Sequence, residues 1–428
     1  MSEARQHKPD STRQGIFYGW YIAATSVAIY FFTNGMTLFV PQNLFPRFIE
    51  TFDTTAGAVS VTTGLSLGLA ALFAPFIGTI VDRAGVVRLI RVGLVVMTVC
   101  FSLYPFARSL QDLYILHAFL ALGLTLSGLL VNVVLLSNWF SARRGIAIGM
   151  LAAASSAAGA LMPVAISPLV NSPDYGWRWG VGALAVGFVF FAVLPGFTVL
   201  REKPGLLGLH PDGAAGPPPA AQGDTGGVDL PTALRSRTFW CLAFGSAALW
   251  YSIQAMNSQI TIYFEQEAGL APMRATLLYS LIFWLSFAGK FLFGALSDRM
   301  PKRRVMLITS ITLLAGCLLL FEPGADGVQL TADLPRLAVF AVVFGLGFGG
   351  SFTMIQLVAV ESFGQRSLGK ILGFITLIDA LGAFAGTILS GQMKTATGSY
   401  LLPFGVITAV AVFAVINVLL IRPVRVSD

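Results

Sequence analysis

Two ionisable residues lie deep inside long apolar runs. Lys290 sits in Trp284-Leu-Ser-Phe-Ala-Gly289-Lys290-Phe-Leu-Phe-Gly294, and Asp379 in Thr376-Leu-Ile-Asp379-Ala-Leu-Gly382. A charge at the centre of a bilayer costs about 3 kcal/mol or more, so it normally faces a cavity and has a partner. An ammonium in that setting can seat a carboxylate, and a carboxyl group can carry a proton. Charge balance then suggests a cycle. Lys290 pairs with Asp379 when the site is empty, and protonation of Asp379 frees Lys290 for a substrate carboxylate. Anion and proton cross together, nearly neutral. The plainer alternative is a permanent interhelical salt bridge with no role in transport.

Other polar groups extend the candidate site. Tyr251, Gln254 and Ser258 fall at i, i+3 and i+7 with Asn257 beside them, and these offsets share a helix face. Gln356, Asn34 and Asn132 are further amides within apolar runs. Each either lines a cavity or makes an ordinary interhelical hydrogen bond. His117 is a proton carrier or a packing residue near a helix end. Aromatics such as Tyr30, Phe31, Trp250 and Trp284 stack on a ring substrate or simply pack. There is no phosphate-cradling GxxxxGK[ST], no HExxH and no metal-ligand spacing among the His and Cys residues. An ATP-driven pump and a metalloenzyme are therefore disfavoured, no cofactor is expected, and the chain reads as a non-enzyme. Cys100, Cys241 and Cys317 lie in apolar runs and read as reduced packing thiols.

The elements that must position these groups are membrane helices. Only 11% of residues are charged and 56% are hydrophobic, against about 25% charged in soluble domains. A spanning helix needs about 20 apolar residues. Twelve runs qualify, near 17–40, 57–81, 88–108, 112–138, 144–171, 178–200, 238–263, 272–297, 304–321, 335–360, 367–391 and 401–421. With the N terminus inside, twenty of the 27 Lys and Arg fall on the cytoplasmic side and six outside, with Lys290 within a span. This asymmetry predicts a multi-pass protein of the cell (inner) membrane with both termini cytoplasmic. It also accounts for the net charge of +7 without a nucleic-acid partner. The expected organisation is a tail over 1–16, a six-helix bundle over 17–200, a linker over 201–236, a second bundle over 237–422 and a tail over 423–428. The tract Ala214–Gly227 has the Pro, Gly and Ala content of a flexible linker.

One loop occurs twice, half a chain apart: Gly78-Thr-Ile-Val-Asp82-Arg83-Ala-Gly85 and Gly294-Ala-Leu-Ser-Asp298-Arg299-Met-Pro301. It resembles the signature loop of the major facilitator superfamily, with Met300-Pro301 in the second copy where a residue and Gly are usual. The resemblance implies an all-α fold of twelve transmembrane helices in two bundles, with Asp82, Arg83, Asp298 and Arg299 acting as a conformational gate. Three stretches are similar to the monocarboxylate porter and oxalate/formate antiporter branch: Asn138-Trp-Phe-Ser-Ala-Arg143-Arg144-Gly145, Gly176-Trp-Arg-Trp179, and Arg201-Glu-Lys-Pro204 through Pro211-Asp212-Gly213. That branch implies a monomeric secondary carrier of small organic anions coupled to protons or a counter-anion. By local pattern Lys290 stands where the branch carries a cationic clamp, and Asp379 near where oxalate carriers have a Lys. One cation with one acid suits a monoanion and a proton. The sequence thus predicts proton-coupled uptake (symport) of a monocarboxylate. The alternatives are a carrier of a larger neutral or aromatic metabolite, such as a flavin-like vitamin or aromatic acid, and a transporter-like substrate sensor.

Overall fold

A computed structural model describes residues 16–214, 216, 227–324, 327–364 and 366–422, with the side chains at 75, 77–79 and 82 left aside. Most of the two tails, the middle of the linker and the side chain of Asp82 therefore lie outside the described residues. Apolar composition yields long helices despite 45 Gly and 21 Pro, because a backbone in hydrocarbon must satisfy its own hydrogen bonds. Spans 1 to 6 are Gly19–Phe52, Ala56–Ala84, Val86–Phe106, Leu110–Trp139, Arg144–Val170 and Gly176–Thr198. Spans 7 to 12 are Arg237–Gln266, Pro272–Ser297, Lys302–Leu318, Leu334–Phe363, Leu368–Thr397 and Leu401–Leu420.

Ten of these are long and apolar enough to cross a membrane by length and composition alone. Spans 7 and 9 are the other two. Span 7 dilutes its apolar run with Gln254, Asn257, Ser258, Gln259 and Thr261, and span 9 has 17 residues. Span 1 outruns the expected 17–40. It turns π-helical at Gly35–Phe39, continues as α-helix past Pro41 and Pro46, and ends on Asp53, which takes the left-handed conformation at φ 46°. Span 4 breaks at Gly128, where a Cβ would lie 2.2 Å from the Leu124 carbonyl oxygen. A short hairpin, Phe321–Gly324 with Gly327–Leu330, joins spans 9 and 10.

The linker is stitched to the helix ends. Both carboxylate oxygens of Glu202 accept the first amides of span 3, Val86 at 2.8 Å and Val87 at 3.0 Å, where Gly85 turns at φ +82°. Asp212 accepts the amides of Ser141, Ala142 and Arg143. Partial burial works to raise the Asp212 carboxyl, but these amides outweigh it and hold the group below its ordinary value. Val228 N–H donates to the Phe363 carbonyl at the end of span 10.

The two bundles meet along spans 2 and 11, 5 and 8, and 1 and 7. Their contacts concentrate on the half away from the termini. Arg47 of span 1 forms an ion pair with Glu265 of span 7. Gln259 donates to Ser60 at 2.8 Å, and the Gly57 amide donates to Thr395. Tyr279 donates to the Phe39 carbonyl and to the Gln42 side chain. Toward the termini the bundles part. Gly145 and Gly149 continue the face of span 5 that meets span 8, yet a Cβ on either would touch nothing within 4 Å. Gly369 and Gly373, at the same end of span 11, are equally clear. The conformation is closed on the face away from the termini and open on the face that carries them.

Candidate functional site

Lys290 lies where the closed half gives way to the open half. Gly289 lets span 8 press against span 10: a Cβ there would meet the Leu346 carbonyl oxygen at 2.6 Å. Gly349 returns the contact, with the Ser286 carbonyl oxygen at 1.9 Å from a Cβ. This tight pair aims Lys290 away from span 10's backbone toward the other bundle. Its Nζ donates to the Ala152 carbonyl of span 5 at 2.7 Å and stands 4.4 Å from the centre of the Phe352 ring. Lys290 is 8% exposed. Phe352 also packs edge-on against Trp250, which packs in turn against Phe348. An ammonium held by one neutral carbonyl and one ring face has unused donor capacity. It can therefore take a carboxylate.

The expected pair between Lys290 and Asp379 is not made in this conformation. Asp379 is 7% exposed and accepts from Ser246 of span 7 at 2.5 Å. Close packing of spans 7 and 11 sets that contact, for a Cβ at Gly382 would meet the Ala247 carbonyl oxygen at 2.4 Å. Asp379 thus belongs to the second bundle's internal seam, while Lys290 reaches across to the first bundle. Trp250 is one helical turn from Ser246, so the Phe352–Trp250 pair stands between the two groups along the chain of contacts.

The remaining candidates divide. Tyr251 (9% exposed) and Gln254 (3%) make no hydrogen bond among the described residues, and Asn257, fully buried, leaves both amide atoms without a partner. Gln254, Asn257 and Thr261 share one face of span 7, and Thr261 is also an orphan. Span 1 carries orphans too, at Thr37 and the Gln42 amide nitrogen. Buried amides without partners cost about 1–3 kcal/mol each, which makes these faces candidate positions for water or a substrate. Asn34 accepts from Ser155 of span 5 at 2.8 Å and so ties spans 1 and 5 within the first bundle. Gln356 is exposed, one turn from Phe352 toward the open face.

Two residues fall outside this grouping. Asn132 is wholly buried and donates to the Ser127 and Gly128 carbonyls at 2.7 and 2.8 Å. Its Nδ2 repairs the break in span 4, while its Oδ1 has no partner among the described residues. His117 is likewise enclosed: its two ring nitrogens meet Ser66 at 2.8 Å and Tyr104 at 3.0 Å. It is a buried tie among spans 2, 3 and 4. In the repeated loops, Arg83, Asp298 and Arg299 are exposed on the open face and make no ion pair among the described residues. A nearby pair, Lys302 with Glu361 at 3.8 Å, joins spans 9 and 10 instead. Sequence reasoning missed Ala152, Ser155 and Ser246. A backbone acceptor and small hydroxyls in Ala- and Ser-rich helices carry no signal of their own.

Known proteins bear on this arrangement. The family model of the Major Facilitator Superfamily matches residues 27–322 and 242–428. Human monocarboxylate transporter 11 is 26% identical over 399 residues, covering 90% of this chain and 79% of that protein. Rat monocarboxylate transporter 13 is 24% identical, covering 90% of this chain and 85% of that one. Among solved structures, a bacterial homologue of the human lysosomal transporter Spinster, in an inward-facing and occupied conformation, aligns with a TM-score of 0.68 at 16% identity over 94% of each chain.

Proposed function

Because the chain belongs to the Major Facilitator Superfamily, a family of transporters and not of enzymes, we propose that it carries a small monocarboxylate by proton-coupled alternating access. The observation that carries the reading is Lys290. It is a buried cation at the boundary between closed and open halves, held among the described residues by a displaceable carbonyl and a ring face. The monocarboxylate transporters to which the chain is similar along most of its length support the same substrate class. In this reading a carboxylate enters from the open side, replaces the Ala152 carbonyl at Lys290 and lies against Phe352. Asp379, held by Ser246, takes the proton on its own seam. Uptake is the direction we favour, with the termini in the cytoplasm of the cell (inner) membrane and the monomer as the working unit. Gln254, Asn257 and Tyr251 line the path beyond Lys290 as the far side opens.

A second reading has its own observation. The Phe352, Trp250 and Phe348 cluster beside Lys290 offers ring faces to an aromatic acid. Proteoliposomes with an imposed pH gradient separate the two. Lactate, benzoate, oxalate and riboflavin would each be offered and then competed. Gradient-driven accumulation of lactate supports the first reading, and preference for benzoate the second. Accumulation of riboflavin alone, or of nothing when the pH gradient is imposed, would sink the proton-coupled monoanion reading. Ligand binding without any counterflow would make the protein a sensor.

A further inference from the structure

The seam between spans 5 and 8 is a row of hydrogen bonds, and Lys290 is its last rung. Spans 5 and 8 run in opposite directions, and successive contacts step along both. Ser280 donates to the Ala160 carbonyl at 2.5 Å, Ser156 meets Ser286 at 3.1 Å, and Lys290 donates to the Ala152 carbonyl at 2.7 Å. On span 5 the rungs fall at every fourth residue, 152, 156 and 160, which is one helix face. A Cβ built on the next positions of that face, Gly149 and Gly145, would meet nothing within 4 Å. The first two rungs join neutral groups. The third joins a charge to a neutral carbonyl in a setting with little water, and bonds to charged groups are the stronger ones. The Phe352 face keeps the ammonium at that height, 4.4 Å from the ring centre.

We infer that Lys290 clasps the two bundles through the Ala152 carbonyl, and that an anion taking the ammonium releases the clasp. This rests on the proposed anion site but gives Lys290 a second role, that of holding the far side shut while the site is empty. A carboxylate is the better acceptor, so binding withdraws the ammonium from span 5. The seam then keeps only neutral bonds, those of Ser280 and Ser156 and that of Ser167 with the Met273 sulfur at 3.4 Å, and the closed and parted arrangements come nearer in free energy. Substrate binding and bundle movement are thereby joined at one nitrogen atom.

The test reads the closed side directly. Ser60 is fully buried at the meeting of spans 2, 7 and 11 on the far face. The full chain carrying Ser60→Cys, in liposomes, is labelled with a membrane-impermeant maleimide, and the chain without that cysteine supplies the blank. Adding Lys290→Met should raise the labelling rate about tenfold without any ligand, as loss of one charge-assisted bond implies. Lys290→Arg, which retains the charge and the donors, should stay near the parent, and Ser156→Ala should give a smaller rise than Lys290→Met. Lactate and benzoate, each added alone, should raise labelling of the Lys290 protein and leave Lys290→Met unchanged. An unaltered labelling rate in Lys290→Met overturns the clasp, whatever happens to transport. If that variant labels faster yet still takes up both anions normally, the clasp stands and the anion site falls. If uptake is lost while labelling is unmoved, the reverse holds. A fluorescence thermal melt of each variant shows whether faster labelling reflects unfolding, which would also count against the clasp.

Discussion

Replacing Lys290 by Ala tests the proposed chemistry most sharply. In the empty site the Nζ spends one hydrogen bond on the Ala152 carbonyl and leaves its other donors free. A carboxylate arriving there gains a charge-assisted bond. Such bonds are worth about 1.5–3 kcal/mol when they replace contacts with water, which is roughly a ten- to hundredfold change in affinity. The true loss lies toward the upper end, because Lys290 is 8% exposed and little solvent screens the pair. Shortening the side chain to Ala also leaves a gap beside Phe352 that water enters, and water does not replace the charge. We therefore expect kcat/KM for lactate or benzoate to fall about a hundredfold, with the loss concentrated in KM. Lys290→Arg should recover most of it, since a guanidinium keeps the charge and its fork suits a carboxylate. The assay is initial-rate uptake into proteoliposomes across a range of anion concentrations, corrected for the amount of reconstituted protein. An Ala variant within about twofold of the parent would refute the argument. So would a variant whose loss appears equally for an uncharged substrate.

Further outcomes follow from other groups. Asp379→Asn keeps an oxygen for Ser246 but no titratable proton. One pH unit is worth about 1.4 kcal/mol per proton, so the parent should accumulate anion about tenfold and the variant should only exchange it; accumulation in the variant would remove Asp379 from coupling. His117→Phe leaves the buried Tyr104 hydroxyl without its ring partner, while Ser66 keeps the backbone carbonyl of position 117, so the thermal midpoint should fall by several degrees for a loss of about 1–3 kcal/mol, while the dependence of uptake on pH stays as in the parent; an altered pH profile would return His117 to the proton path. Asn257→Leu removes two orphaned polar atoms, so the closed arrangement should melt higher and turn over more slowly; a lower midpoint would show that its amide is satisfied in the resting protein. Asp212 is held below its ordinary value, so its contribution is present above the usual carboxylate range and is lost as pH falls through the depressed value. Asp212→Ala should therefore speed proteolysis near residues 141–143 at neutral pH and make no difference at strongly acid pH.

Hydropathy made the helices legible because bilayer thickness sets a length that apolar runs must meet. It also located Lys290, since a charge inside such a run is conspicuous. It did not disclose helix rotation. Lys290 and Asp379 were expected to meet, yet one turns to span 5 and the other to span 7, and that choice depends on which Gly faces which backbone. Gly289 and Gly382 decide it through contacts that no single run of sequence displays. Isolated amides misled for a related reason. Asn132 and Asn257 look alike as letters in apolar runs, but one patches a broken helix with its nitrogen and leaves only its oxygen unpartnered, whereas the other is unpartnered at both amide atoms. The extension of span 1 through Pro41 and Pro46 was hidden because prolines usually end helices, whereas a membrane helix accommodates them within a packed bundle.

The bonds of Glu202 and Asp212 have a bearing on how far the halves can travel. They make the first dozen residues after span 6 part of the first half, and Val228 is already fastened to the second. The number of residues between Gly213 and Val228 allows a span of about 50 Å at most. On the alternating-access reading proposed above, that length by itself sets no limit on a rocking movement. It leaves a length of chain where a reporter domain could be spliced in and the stroke still run to completion.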